Sequence, residues 1–168
     1  MPTPPPRVYV ETTVVSYLTS RRSRDLLVAA RQQVTAEWWE RAAEHFELVT
    51  SAVVVDEAGA GDPAMAARRL ALLDGLRALP VTPDTRALAH DLLRAGALPA
   101  KALGDALHLA VAAVGRADFL ATWNLRHLAG PTVRRRLERE LLARGHEPPT
   151  LCTPEALAPG TSTGDPDA

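Results

Sequence analysis

RVYVETTVVSYL, residues 7–18, decides how the rest of the chain reads. Its first four residues are β-branched or aromatic after a proline-rich start, which predicts a short buried strand over 7–10. Thr12 to Leu18 then reads as a short helix, so a lone acid, Glu11, falls on the strand-to-helix junction. The same alternation repeats along the chain. A long helix is expected from Ser23, as N-cap, to about Glu44, with Leu27, Ala30, Val34 and Trp38 forming one apolar stripe. Phe46 to Thr50 reads as a second strand and Ser51 to Ala60 as a helix. Asp62-Pro63 is a capped restart whose helix turns Ala66, Leu70 and Leu73 inward and stops at Gly75. Leu79 to Val81 reads as a short strand, and Thr82-Pro83 opens a helix that Gly96 closes. Residues 102–114 form a nearly all-apolar helix, Asp118 to Thr122 a buried strand, and Pro131 to about Arg144 a charged amphipathic helix. Thr150 to Cys152 adds an edge strand.

Short apolar strands alternating with helices predict an α/β fold: a three-layer α/β/α sandwich with a mainly parallel central sheet of four to five strands. The length of 168 residues suits one domain, expected over residues 1–158. The tail, residues 159–168, is rich in Gly, Ser, Thr, Asp and Pro and is expected to be disordered.

Composition narrows the function. No apolar run approaches the roughly 20 residues that cross a bilayer, so no membrane association is expected. The proline-rich start carries no secretory pattern, and Cys152 is the only cysteine. These point to a cytoplasmic protein without a disulfide or cysteine-based zinc site. The formal net charge is −1, so any nucleic-acid contact has to come from local clusters. Two exist. Arg21, Arg22 and Arg24 read equally as a solvated loop or as phosphate contacts, whereas Arg134, Arg135, Arg136 and Arg139 read as a solvated helix face.

The informative residues are acids that interrupt apolar segments. Asp105 lies inside ALGDALHLAVAAV, residues 102–114, and a carboxylate buried there is costly unless it is hydrogen-bonded, ion-paired or metal-bound. An ion pair with Lys101 is the structural alternative, though on a helix surface it contributes only about 0.3–0.5 kcal/mol. Glu57 closes an apolar run, with Asp56 as the competing acid, and Asn124 follows the strand that ends near Thr122. Segments following parallel strands gather at the C-terminal edge of the sheet, so Glu11, Glu57, Asp105 and Asn124 project to one rim. Three carboxylates crowded there repel one another, and a divalent cation with hard oxygen ligands removes that cost.

Other candidates read more plainly. Asp118 is expected to be structural. His108 reads as a satisfied core histidine, with protonation of a leaving group as the alternative. Trp38, Trp39 and Trp123 read as core or interface, with base stacking by Trp123 the alternative. Cys152 has no adjacent base and is not expected to be a nucleophile. No Gly-rich phosphate loop of the dinucleotide or P-loop type is present, and no G-x-S-x-G on a strand-to-helix elbow supports an acyl hydrolase. A receiver-like phosphoacceptor fits poorly, because the first rim acid is a glutamate and the lone lysine sits elsewhere.

VYVETTVVSYL (8–18), SAVVVDEA (51–58), GDALHLAVAA (104–113) and ADFLATWNLRHL (117–128) resemble the successive motifs of PIN domains, in order across roughly residues 7–152. The resemblance implies hydrolysis of RNA phosphodiester bonds by a magnesium- or manganese-dependent endoribonuclease. It extends to VapC-like toxins, a resemblance that implies a homodimer and an antitoxin partner. Carried over by position, Glu11 stands for the usual first aspartate, Glu57 and Asp105 are the second and third acids, and Asn124 replaces the usual fourth acid. Thr122 matches the supporting Thr or Ser two residues before that position. The implied metal ligands are Glu11, Glu57 and Asp105. Glutamate at 11 reaches one methylene further, and neutral Asn124 lowers the site's charge. The alternative is a PIN fold that has lost turnover and binds RNA or a protein partner.

Overall fold

A computed structural model describes residues 3–124, 128 and 130–158. Strands β1 (Arg7–Val10), β2 (Glu47–Ser51), β3 (Arg77–Leu79), β4 (Phe119–Ala121) and β5 (Thr150–Cys152) form one sheet in the order β3-β2-β1-β4-β5. Every pairing is parallel, with Tyr9 opposite both Val49 and Leu120. The helices among the described residues are α1 (Thr12–Thr19), α2 (Leu26–His45), α3 (Ala52–Ala58), α4 (Pro63–Leu73), α5 (Pro83–Arg94), α6 (Leu103–Val114), α7 (Pro131–Ala143) and α8 (Pro154–Leu157). Helices α1 to α4 pack on one another, as do α5, α6 and α7, which gives the expected α/β/α layering around the sheet. The all-parallel, five-stranded sheet agrees with the sequence reading. The tail over 159–168 lies outside the described residues.

Central strands need two covered faces, and β1 supplies them: Val8, Tyr9 and Val10 are fully buried. Around them Val49, Leu109, Leu120, Leu137 and Leu141 complete one core, each fully buried aliphatic side chain contributing about 1.5–3 kcal/mol of transfer free energy. Asp118, read as structural, accepts from the Arg7 backbone N–H at 2.7 Å and so ties β4 to the start of β1.

Several expectations need correction. Helix α2 is capped by Asp25, whose carboxylate accepts from the N–H groups of Leu27 and Val28, and not by Ser23. Its inward face is Thr35, Trp38 and Ala42. Leu27 is 61% exposed and Ala30 is exposed too, so the predicted stripe reaches the core only toward its C-terminal end, at Trp38. Strand β3 ends at Leu79, two residues earlier than expected, because Thr82 must be free to cap α5 through the Thr85 N–H. Helix α3 is shorter than Ser51 to Ala60: Ser51 closes β2 and caps α3 through the Val54 N–H, and Gly59 ends it. The short helix α8 was not foreseen.

The topology positions a site. From β1 the chain moves toward β2, and from β4 it moves the opposite way to β5. The gap between β1 and β4 is therefore the point where connections diverge, where open parallel sheets form a binding crevice.

Candidate active site

Glu11 is the first residue past β1 and the N-cap of α1. It is 7% exposed. Its Oε2 accepts from the Thr13 N–H at 3.1 Å, from the Thr13 hydroxyl, and from the Thr122 hydroxyl at 2.8 Å. Each hydroxyl in turn accepts a backbone N–H: Thr13 from Trp123 at 2.8 Å, Thr122 from Asn124 at 2.9 Å. Since each hydroxyl accepts an N–H through its oxygen, its single hydrogen is left to donate to Glu11. Its other oxygen, Oε1, lies 3.9 Å from His108 Nε2.

Glu57 reaches the same place from α3. His108 Nε2 is 3.1–3.2 Å from its two oxygens, and the Thr12 hydroxyl donates to Oε2. Partial burial pushes the Glu57 carboxyl up. The His108 hydrogen bond and charge, with the Thr12 bond, outweigh that and leave it below its usual value. His108 is 3% exposed; burial disfavours its cation, but the Glu57 bond and the charges of Glu11, Glu57 and Asp105 raise its pKa. Its Nδ1 is 2.9 Å from the Tyr9 hydroxyl, which is 2.8 Å from Ser51 Oγ. One ligand atom from each of Glu11, Glu57 and His108 fits within a mutual 4.8 Å, a spacing that a metal ion can bridge.

Asp105 lies in the first turn of α6, where the helix dipole favours an acid, and it is half-buried at the rim rather than sunk in the helix interior. Its Oδ1 accepts from Asn124 Nδ2 at 2.9 Å. Both residues line a cleft of about 330 Å³ together with Pro99, Lys101, Ala102 and Gly104. A Cβ on Gly104 would sit 3.7 Å from Glu57 Oε1, so the start of α6 abuts Glu57.

The structure thus gathers Glu11 and Glu57 around His108, sets Thr122 on Glu11, and joins Asp105 to Asn124 one helical turn from His108. His108 is a satisfied buried histidine, as expected, but its partners are the rim carboxylates themselves. Its position three residues after Asp105 was the available signal. Tyr9, Thr12, Thr13 and Ser51 carried no signal of their own, since each reads as an ordinary strand, cap or helix residue. Trp123 is fastened in place: its Nε1–H donates to Thr35 Oγ1 at 2.9 Å, Tyr17 meets it edge-on, and the Arg31 guanidinium stacks 5.3 Å from its ring centroid. Burial raises the Cys152 thiol to about 12, against the opposing charge of Arg134, which removes it as a nucleophile. In the second arginine cluster, Arg134 and Arg136 donate to the carbonyls of Leu151 and Gly96.

Comparison with known proteins gives one result. A family model, PIN domain, matches residues 8–129, well over half of the chain. No curated protein and no solved structure matches. The matched span carries β1, β4 and every rim residue described above, and the chain belongs to the PIN domain family.

Proposed function

We propose that this protein is an endoribonuclease that hydrolyses RNA phosphodiester bonds with the help of a divalent cation. PIN domains are generally a metal-dependent nuclease fold, and no described helix is long and apolar enough to cross a membrane. The observation that carries the reading is Glu11. It is a buried carboxylate with one oxygen committed to three donors and the other left beside Glu57 and His108. Such anchoring keeps an acid close to other acids, an arrangement that a cation stabilises.

The donor set suits the ion that the family implies. Glu11, Glu57 and Asp105 offer hard oxygens, and these three would hold magnesium or manganese. When bound, the ion supplies Lewis acidity that activates water and neutralises charge on the phosphate. The protein's own part is placement. Thr13 and Thr122 fix Glu11, Thr12 and His108 fix Glu57, and Asn124 fixes Asp105. Asn124 thus acts as a hydrogen-bond donor where a fourth acid would only add repulsion. Lys101, in the cleft beside Asp105, is placed to meet a phosphate of the RNA.

The VapC-like resemblance extends the proposal to a cytoplasmic toxin that forms a homodimer and is restrained by an antitoxin encoded next to it. Labelled tRNA and mRNA incubated with magnesium, manganese or EDTA, beside Asp105→Asn, test the activity. Cleavage that needs metal and is lost in the variant is the expected result. A folded, partner-free protein that cleaves nothing in any metal would instead favour an RNA- or protein-binding role. Co-purification of a small partner tests the antitoxin.

A further inference from the structure

We infer that His108 Nε2 is itself a metal ligand, alongside the carboxylates of Glu11 and Glu57, and that the site therefore prefers a first-row transition ion to magnesium. The inference rests on the metal-dependent reading above and specifies the ion that serves it.

Geometry comes first. With metal–ligand bonds of about 2.1 Å, adjacent ligands around an octahedral ion lie about 3 Å apart and opposite ones about 4 Å. His108 Nε2 is 3.1 Å from Glu57 Oε2 and 3.9 Å from Glu11 Oε1. The imidazole nitrogen therefore already sits at ligand spacing from both carboxylates, at the head of a side chain that is 3% exposed and has no room to swing away.

The proton position follows. A cation that touches Glu11 and Glu57 is also next to Nε2. An N–H at that position would aim its hydrogen at the cation, so a bound ion requires the nitrogen lone pair to face inward and the proton to reside on Nδ1. The surroundings allow this tautomer. Nδ1–H donates to the Tyr9 hydroxyl, and Tyr9 passes its own hydrogen to Ser51 Oγ. A tyrosine phenol is neutral at physiological pH and can both donate and accept. A ligating histidine is normally held by such a partner on its second nitrogen, as Glu11 is held here by two threonines.

Chemistry gives the selectivity. Magnesium takes oxygen ligands and keeps its waters, whereas an imidazole in the ligand set favours the transition ions in the Irving–Williams order. A mixed set of carboxylates and one imidazole therefore shifts the preference toward manganese, iron or cobalt.

Pulsed electron paramagnetic resonance of the full-length protein, stripped with chelator and loaded with Mn2+, reads the nitrogen directly. The expected result is a 14N coupling from a coordinated imidazole, with Mn2+ binding at least about tenfold tighter than Mg2+ in competition titrations. Both features are expected to be lost in His108→Gln. Tyr9→Phe keeps the buried ring but removes the Nδ1 partner, and is expected to weaken Mn2+ binding by about 10- to 100-fold. The wild-type spectrum needs no variant to fold. Bound Mn2+ without nitrogen coupling would overturn the assignment of His108 while leaving the metal-dependent nuclease standing. Failure of the wild-type protein to bind Mn2+ at all would overturn both.

Discussion

Thr122 shows how one hydroxyl can set a carboxylate. It donates to Glu11 Oε2 and accepts the Asn124 N–H, so it links the end of β4 to the first residue past β1. Thr122→Val preserves shape but leaves a buried acid one donor short and an amide without its acceptor. The expected cost is about 1–3 kcal/mol, read by urea denaturation, with Thr122→Ser close to wild type. At this scale the sequence was legible wherever an acid broke an apolar pattern, as Glu11, Glu57 and Asp105 do. It was not legible for Thr13 or Tyr9, because a threonine in a first helical turn and a tyrosine in a strand have ordinary reasons to be there. Only the pairing of β1 with β4 turns them toward the site. His108 lay between these cases: its burial was readable, but its contact with Glu57 depends on how α3 meets α6.

The elements were legible to the degree that their caps were local. Asp62-Pro63 and Thr82-Pro83 start α4 and α5 as their spelling implies. The start of α2 was misread because both Ser23 and Asp25 can cap, and the choice is made by where the loop ends. Asp25 holds two N–H groups, whereas Ser23 Oγ accepts the Asp25 N–H and shapes the turn before it. Asp25→Ala is therefore expected to cost about 1 kcal/mol in thermal or chemical unfolding. Ser23→Ala is expected to cost less. The exposed Leu27 has a different cause: it lies close to Trp38 in helical phase but in the first turn of α2, before the buried face that begins at Thr35. At the far end of α6, Gly115 is there for space. An added Cβ would press on Leu79 Cδ1 and lie 2.9 Å from the Val111 carbonyl oxygen. Since a backbone oxygen cannot retreat, Gly115→Ala is expected to destabilise by about 1–3 kcal/mol, seen as a lower Tm.

Across the whole molecule, charge affects stability modestly and the rim carries the function. The hydrogen bond from Arg7 lowers the Glu47 carboxyl below its usual 4.5, more than slight desolvation raises it, and the charges of Arg7 and Arg77 add to the effect. A carboxyl lowered in the folded state stabilises above its unfolded pKa, and that stabilisation fades as pH falls through the folded value. With side chains 24% and 35% exposed, the Arg7–Glu47 pair contributes only a few tenths of a kcal/mol. The stability gap between wild type and Glu47→Gln is thus expected to be flat near neutral pH and to close in acid, as measured by denaturation across pH. Function rests on the rim, and Glu57 is the acid there best suited to substitution, because its side chain is 40% exposed and tolerates an isosteric change. The decisive measurement is the single-turnover rate of RNA cleavage by Glu57→Gln beside wild type at saturating manganese. A metal-dependent wild-type rate that falls by about 100-fold or more in a variant that remains folded at the assay temperature is the predicted result, in line with the loss of a group that stabilises developing charge. An equal rate in the two proteins, or no metal-dependent cleavage by the wild type, would contradict it.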